Sequence, residues 1–226
     1  MIKPTAWSPS SKATYELCPR QYKHGRIDKL PEAKHPAAER GIWIHKKGEE
    51  FLKGAIKKVP VEYKHFSHEL TQLRKLKAAP EASWGVTSKW EPVDFFAKNV
   101  WGRGKMDASV IVDDTLHIVD FKSGKVKDYK DQVEIYAAFA LSFFPNVAHI
   151  RAELWYLDHE HLQPFEFPVK DVVKAQKKLS VSCAKILADD KFLPTPSRLA
   201  CQYCKFRTDV KMPNGRMGPC DSWKKV

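Results

Sequence analysis

The stretch "HIVDFKSGK" (residues 117–125) decides how this chain is read. Ile118, Val119 and Phe121 make a β-favouring run. Side chains alternate along a strand, so Asp120 and Lys122 share a face. A charge buried alone is costly, and a partner or a bound metal is the usual remedy. The stretch is therefore either a buried ion pair or half of an active site. Asp107 lies thirteen residues earlier, in "WGRGKMDASVIV" (101–112), and Asp113-Asp114 marks a hairpin turn between the segments, without the glycine of the strongest hairpin signal. A hairpin centred on that turn sets 107 against 120. Two carboxylates side by side repel unless a cation sits between them. Hard divalent ions take oxygen ligands, so a magnesium or manganese site with Lys122 beside it is the natural solution.

The bulk composition agrees with such a site. The 226 residues are 43% hydrophobic, enough to bury a core and few enough for one domain with appendages. Lys plus Arg outnumber Asp plus Glu by 39 to 27, a formal charge of +12 and a pI near 9.4. That balance argues for a polyanionic partner, and nucleic acid is the commonest. No window approaches the roughly 18 apolar residues of a membrane span. The N-terminal stretch lacks the apolar core of a secretory signal, so a cytoplasmic setting with reduced or metal-bound cysteines is expected. There is no GxxxxGK[ST] loop and hence no sign of a nucleotide-driven motor.

Along the chain, Ser8-Pro9-Ser10 caps a helix expected over 7–30, and apolar anchors at Trp43, Phe51, Leu52 and Ile56 place a second over 36–58. A third helical patch covers 66–78. A β-rich block runs from 81 to 122, with a first strand through Trp84, Val86 and Trp90. A helix over 128–144 follows, then strands in "HIRAELWYLDHE" and "LQPFEFPV", a lysine-rich helix over 170–190, and a break at Pro194-Thr195-Pro196.

The order Asp107 … Asp120-Phe121-Lys122 … Gln132-x-x-x-Tyr136 resembles the PD-(D/E)XK nuclease superfamily, and within it the RecB-like branch. "GRGKMD" is similar to that branch's G-x-x-D element, His45 in "RGIWIHKKGEEF" to its helical histidine, and "SPSSKATYELCPRQYKH" to its N-terminal Cys-Pro signature. The resemblance spans roughly residues 8 to 220. It implies an α/β, restriction-endonuclease-like core: a mixed central sheet flanked by helices, with a cysteine-bearing C-terminal tail packed against the N-terminal helix. It implies a single nuclease domain over 1–226, with a helical part at 8–80, a catalytic core at 81–192 and a metal-cluster tail at 193–226. His45, Asp107, Asp120 and the carbonyl of Phe121 would bind the metal, Lys122 would be the catalytic lysine, and Gln132 and Tyr136 would order the site or contact DNA.

Cys18, Cys201, Cys204 and Cys220 form a ligand set if brought together, and "CQYC" is a strong metal signal in a reduced compartment. A structural zinc would normally draw its ligands from neighbouring sequence. One upstream and three downstream cysteines instead resemble the iron–sulfur nucleases of this branch, the AddB nuclease domain and the CRISPR-adaptation exonucleases, whose 4Fe–4S cluster staples the chain ends. The branch's last spacing is usually short, whereas fifteen residues separate Cys204 from Cys220 here. Zinc remains the alternative cofactor. Cys183, at helical spacing from Leu179 and Leu187, reads as core.

Lys46, Lys47, Lys53, Lys57, Lys58, Lys125, Lys127 and Lys130 are candidates to track a phosphate backbone, with Trp43 and Trp101 as stacking candidates. The resulting expectation is a metal-dependent deoxyribonuclease, an exonuclease acting on DNA with free ends or single strands in a bacterial or phage-infected cell. A helicase or recombination partner and an oligomer are compatible with it. The rival readings are an inactive nucleic-acid-binding module and a zinc-stabilised adaptor.

Overall fold

A computed structural model describes residues 5–32 and 36–225. The chain divides into two compact units, residues 35–180 and residues 1–34 with 181–226. Among the described residues the helices are α1 (Pro9–Leu17), α2 (Pro19–Tyr22), α3 (Pro36–Leu52), α4 (Ser67–Lys75), α5 (Lys130–Phe143), α6 (Val169–Ala188) and α7 (Arg198–Cys201). The strands are β1 (Ala79–Val86), β2 (Pro92–Val93), β3 (Gly102–Val112), β4 (Thr115–Lys122), β5 (His149–Tyr156) and β6 (His161–Pro168).

These strands form one mixed sheet in the order β2-β1-β3-β4-β5-β6. β4 and β5 run parallel, which requires a crossover, and α5 supplies it. β3 and β4 are an antiparallel hairpin in register from Ala108↔Val119 to Val112↔Thr115, as the Asp113-Asp114 turn implied. Asp113 takes the left-handed conformation, φ 55°, in place of a glycine; aspartate is among the residues that tolerate it. On one face of the sheet Val119, Phe121 and Trp155 pack with Ile44 and Phe51 of α3 and Leu70 and Leu73 of α4. On the other, α5 lays Phe143 against Trp84, ring centroids 5.6 Å apart. This is the expected α/β sheet flanked by helices.

Several element boundaries differ from the sequence reading. The helix expected over 7–30 breaks at Cys18, which is extended (φ −163°, ψ 111°), because a residue before proline is driven out of the helical region and Pro19 follows. The helix expected to reach 58 ends at Leu52, where Gly54 turns left-handed at φ 78°. Lys57 and Lys58 therefore lie beyond it. β1 stops at Val86, and Trp90 sits in a turn at φ 65°. Trp90 is held there by its side chain, which donates to Ser180 Oγ at 2.9 Å and packs edge-on against Phe139.

In the second unit α1 opens with a capping box between Ser8 and Ser11, with Pro9 in the first turn. The tail is tied to the N-terminal segment side chain by side chain. Thr195 Oγ1 donates to the Leu17 carbonyl at 3.1 Å, and Arg20 Nε to that of Phe192 at 3.0 Å. Phe192 stacks on Tyr22 at 6.0 Å, and Tyr15 donates to Asp189 at 2.6 Å. The chain from Asp189 to Thr195 thus packs on the N-terminal segment, and Lys205 further along pairs with Glu32 at 3.0 Å. Among the described residues no helix is long and apolar enough to cross a membrane.

Candidate active site

Ala108↔Val119 is the last backbone pair of the hairpin; beyond it Asp107 and Asp120 turn into a cleft of about 610 Å³. Where the next rung would fall, Asp107 Oδ2 accepts the Phe121 N–H at 2.6 Å. Its Oδ1 lies 2.8 Å from His45 Nδ1 on α3. Gly48, less than a turn along α3, lets the helix approach β4: a Cβ there would fall 2.9 Å from the Phe121 ring. That approach brings His45 within reach of the strand carboxylate.

Asp120 is held by a closed chain of contacts. Tyr136 donates its hydroxyl to Asp120 Oδ1 at 3.1 Å and accepts the Gln132 amide at 2.5 Å. Gln132 Oε1 accepts from Lys122 Nζ at 3.0 Å, and that ammonium stands 2.6 Å from Asp120 Oδ2. Tyr136 and Gln132 meet because i and i+4 share a helix face. Oδ2 is buried, and the Lys122 ammonium is the group that faces it. The Tyr129 ring lies 4.5 Å beneath Lys122 Nζ.

Burial and mutual repulsion of carboxylates set the electrostatics of the cleft. Burial pushes the Asp107 carboxyl up to about 6, the nearby Asp120 adds to the rise, and the bond from His45 moderates it. Burial opposes the charge on His45, but its bond to Asp107 and the field of both carboxylates prevail and raise it. Burial and the Asp120 charge hold Tyr136 well above the usual phenol range.

A residue the sequence reading missed completes the wall. Glu81 stands opposite Asp107, between the β1–β3 pairs Pro80↔Ala108 and Ala82↔Met106, and ion-pairs with Lys105. His45, Glu81 and Asp107 each offer a ligand atom within 4.8 Å of the others. Nothing in "APEAS" marks Glu81, and only the β1–β3 register reveals it.

Of the sequence-predicted site residues, the structure brings His45, Asp107, Asp120, Lys122, Gln132 and Tyr136 into this one cleft. Phe121 meets it through its backbone while its ring is buried. Lys46 lines the cleft, whereas Lys53 is paired with Glu49. Trp101 packs edge-on against Trp90 and is not an open platform; Trp43 is 47% exposed. The donor set is carboxylate oxygens with one imidazole, and its carboxylates repel one another when ionised. It therefore fits magnesium or manganese.

In the other unit Cys18, Cys201, Cys204 and Cys220 line one cavity with Arg20 and Arg207. Burial raises the Cys204 thiol, and the other three cysteines add to the effect. The long spacing before Cys220 is absorbed by a small excursion: Lys211 bridges Met217, and Cys220 returns to donate its N–H to the Phe206 carbonyl at 2.8 Å. Gly218 sits against the Phe206–Arg207 backbone, where any Cβ would collide. Cys183 is fully buried in α6, as expected of a core thiol, and burial pushes its pKa up to about 12.

Comparison with known proteins matches the model of the PD-(D/E)XK nuclease superfamily to residues 6–208, nearly the whole chain. The chain belongs to the PD-(D/E)XK nuclease superfamily. Its members hydrolyse phosphodiester bonds of nucleic acids and use divalent metals such as magnesium or manganese. Among solved structures, a candidate exonuclease from Eubacterium rectale is similar at 12% identity and a TM-score of 0.48, with 98% of this chain and 88% of that one covered. The crystal structure of SSO0001 is similar at 13% identity and a TM-score of 0.40, over 91% and 85%. A search of curated proteins returned no match.

Proposed function

We propose that this PD-(D/E)XK protein is a metal-dependent deoxyribonuclease of the RecB-like branch, acting as an exonuclease. The observation that carries the reading is the convergence of Asp107, Asp120 and Lys122 on one cleft, with Asp120 Oδ2 buried and held only by the Lys122 ammonium. His45, Asp107 and Asp120 would hold the metal with the Phe121 carbonyl, and Glu81 extends the set. A divalent ion held by these residues would supply polarisation of the phosphoryl group and a more acidic water.

The chain's own groups do the rest. Tyr136 fixes one oxygen of Asp120, so the carboxylate cannot turn its other oxygen away from the cleft. Gln132 and Tyr129 hold Lys122 with its ammonium facing that oxygen. From that position the ammonium orients the attacking water or stabilises charge developing on the phosphoryl oxygens. The exonucleolytic mode and the choice of DNA follow the branch that the motifs resemble.

For the cysteines we propose a 4Fe–4S cluster that staples the N-terminal segment to the tail. The four cysteines come from both ends of the chain and line one cavity, whereas a structural zinc would normally draw its ligands from neighbouring sequence. Arg20 and Arg207 beside them offset thiolate charge.

Cleavage of DNA by Lys122→Ala and Asp120→Ala tests the reading. Both variants should retain DNA binding in a gel and lose at least about a hundredfold in turnover. A wild-type rate in either variant would falsify its proposed role.

A further inference from the structure

β3 carries the cleft's chemistry outward. Arg103, Lys105 and Asp107 alternate on one face of the strand, while Gly104 and Met106 face Phe139 of α5 on the other. Asp107 is at the site, Lys105 lines its wall, and Arg103 lies two further residues along, about 13 Å from Asp107 by strand rise. Across from Arg103 in the β1–β3 register is Gly85. A Cβ on Gly85 would fall 2.8 Å from the Asp94 carbonyl oxygen and 3.1 Å from Phe95 Cα. The glycine therefore lets the segment after β2 lie directly on the strand. Asp94 Oδ1 accepts the Phe96 N–H at 2.8 Å and shapes that segment.

The result is a guanidinium lodged over two adjoining aromatic rings, 5.6 Å from Phe95 and 5.7 Å from Phe96, whose own centroids are 5.1 Å apart. Arg103 makes no ion pair among the described residues, and its buried Nε has no hydrogen-bond partner there. Phe96 is 80% exposed, so the ring that holds the arginine also offers its surface to solvent. An uncompensated, oriented guanidinium is a phosphate ligand, and an exposed aromatic ring is a platform for an unpaired base.

We propose that Arg103 and Phe96 form a subsite for single-stranded nucleic acid, about two nucleotides from the phosphate that is cut. Arg103 holds a backbone phosphate and Phe96 stacks an unpaired base, so the subsite selects strands that are open at that distance. The inference rests on nucleic acid being the substrate of the cleft.

The test is fluorescence anisotropy of the full chain in EDTA, which does not require cleavage. The probes are fluorescein-labelled thymidine oligomers of two and twelve nucleotides and a blunt twelve-base-pair duplex. Phe96→Ala should weaken binding of the long single strand at least about fivefold, leave the dinucleotide and the blunt duplex unchanged, and be rescued by Phe96→Tyr. Arg103→Gln should reduce the salt dependence of single-strand binding by about one phosphate. Unchanged single-strand affinity in Phe96→Ala, or an equal loss on single strand and duplex, overturns the subsite. Hydrolysis of the p-nitrophenyl ester of thymidine 5′-phosphate, too short to reach Phe96, separates this from the nuclease reading. If the wild type cleaves no substrate yet Phe96→Ala still discriminates single strands, the subsite stands and the nuclease reading falls.

Discussion

Tyr136 and Asp120, sixteen residues apart, are joined by a hydrogen bond of 3.1 Å from the phenol to Asp120 Oδ1, leaving Oδ2 facing the cleft beside Lys122. The bond fixes which carboxylate oxygen is turned to the cleft and to Lys122. On the proposed reading Tyr136 is a positioning residue rather than one that touches substrate. Tyr136→Phe should lower kcat about tenfold, with KM for DNA little changed, and cost about 1–3 kcal/mol of stability through the orphaned carboxylate oxygen. The readout specific to positioning is the magnesium concentration for half-maximal activity, which should rise. An unchanged metal dependence would show that the phenol merely fills space.

Asp107 is raised to about 6 by burial and by Asp120, against roughly 3.9 in an unfolded chain. A group raised on folding favours the folded state while it is protonated, and that advantage is lost as pH rises through its folded value. The metal-free protein therefore carries a destabilising charge above pH 6. Asp107→Asn should raise the metal-free Tm by a few degrees at pH 7.5, by about half as much at pH 5 and hardly at pH 3, below the unfolded value, while reducing cleavage. Scanning calorimetry at the three pH values decides it, and a lower Tm at pH 7.5 would count against the account.

Glu81 joins the proposed metal site through the β1–β3 register alone. Glu81→Gln should weaken manganese binding about tenfold, measured by titration calorimetry, and leave the fold unchanged. Wild-type affinity would return Glu81 to being only the partner of Lys105.

Cys201→Ser should lower iron and acid-labile sulfide content together with Tm, because ligand binding and folding are coupled. Full metal content with an unchanged melt would remove the staple, and zinc in place of iron would select the alternative cofactor.

Cys183, by contrast, should resist alkylation by iodoacetamide at pH 8 until the chain is unfolded, since its thiol is buried and pushed up to about 12. Mass mapping of the modified thiols reads this out. Rapid labelling in the native protein would place Cys183 outside the core.

What the sequence made legible follows from distance along the chain. The β3–β4 hairpin and its two carboxylates could be aligned because a two-residue turn fixes register. Gln132 and Tyr136 could be placed together because one helix holds both. Glu81 was invisible because its role depends on β1 pairing with β3 across an intervening β2 and loop, a tertiary fact that no local pattern records. The α3 boundary was missed because a glycine within a lysine-rich run reads as tolerated until its left-handed φ is known. Trp101 offered itself as a stacking platform, and its packing against Trp90 could be seen only once Trp90 was found in a turn. Cys220 looked too distant in sequence, yet the bridge between Lys211 and Met217 shortens the path and returns it to the cavity.

The most direct test of the central claim is cleavage of end-labelled linear and closed circular DNA, single- and double-stranded, with magnesium or manganese under anaerobic conditions, with Asp120→Ala alongside. The account predicts that linear DNA is degraded from its ends, circular DNA survives, and the variant is inert in every arm. Activity that persists in Asp120→Ala, or no cleavage by the wild type with either metal while DNA is still bound, would contradict it.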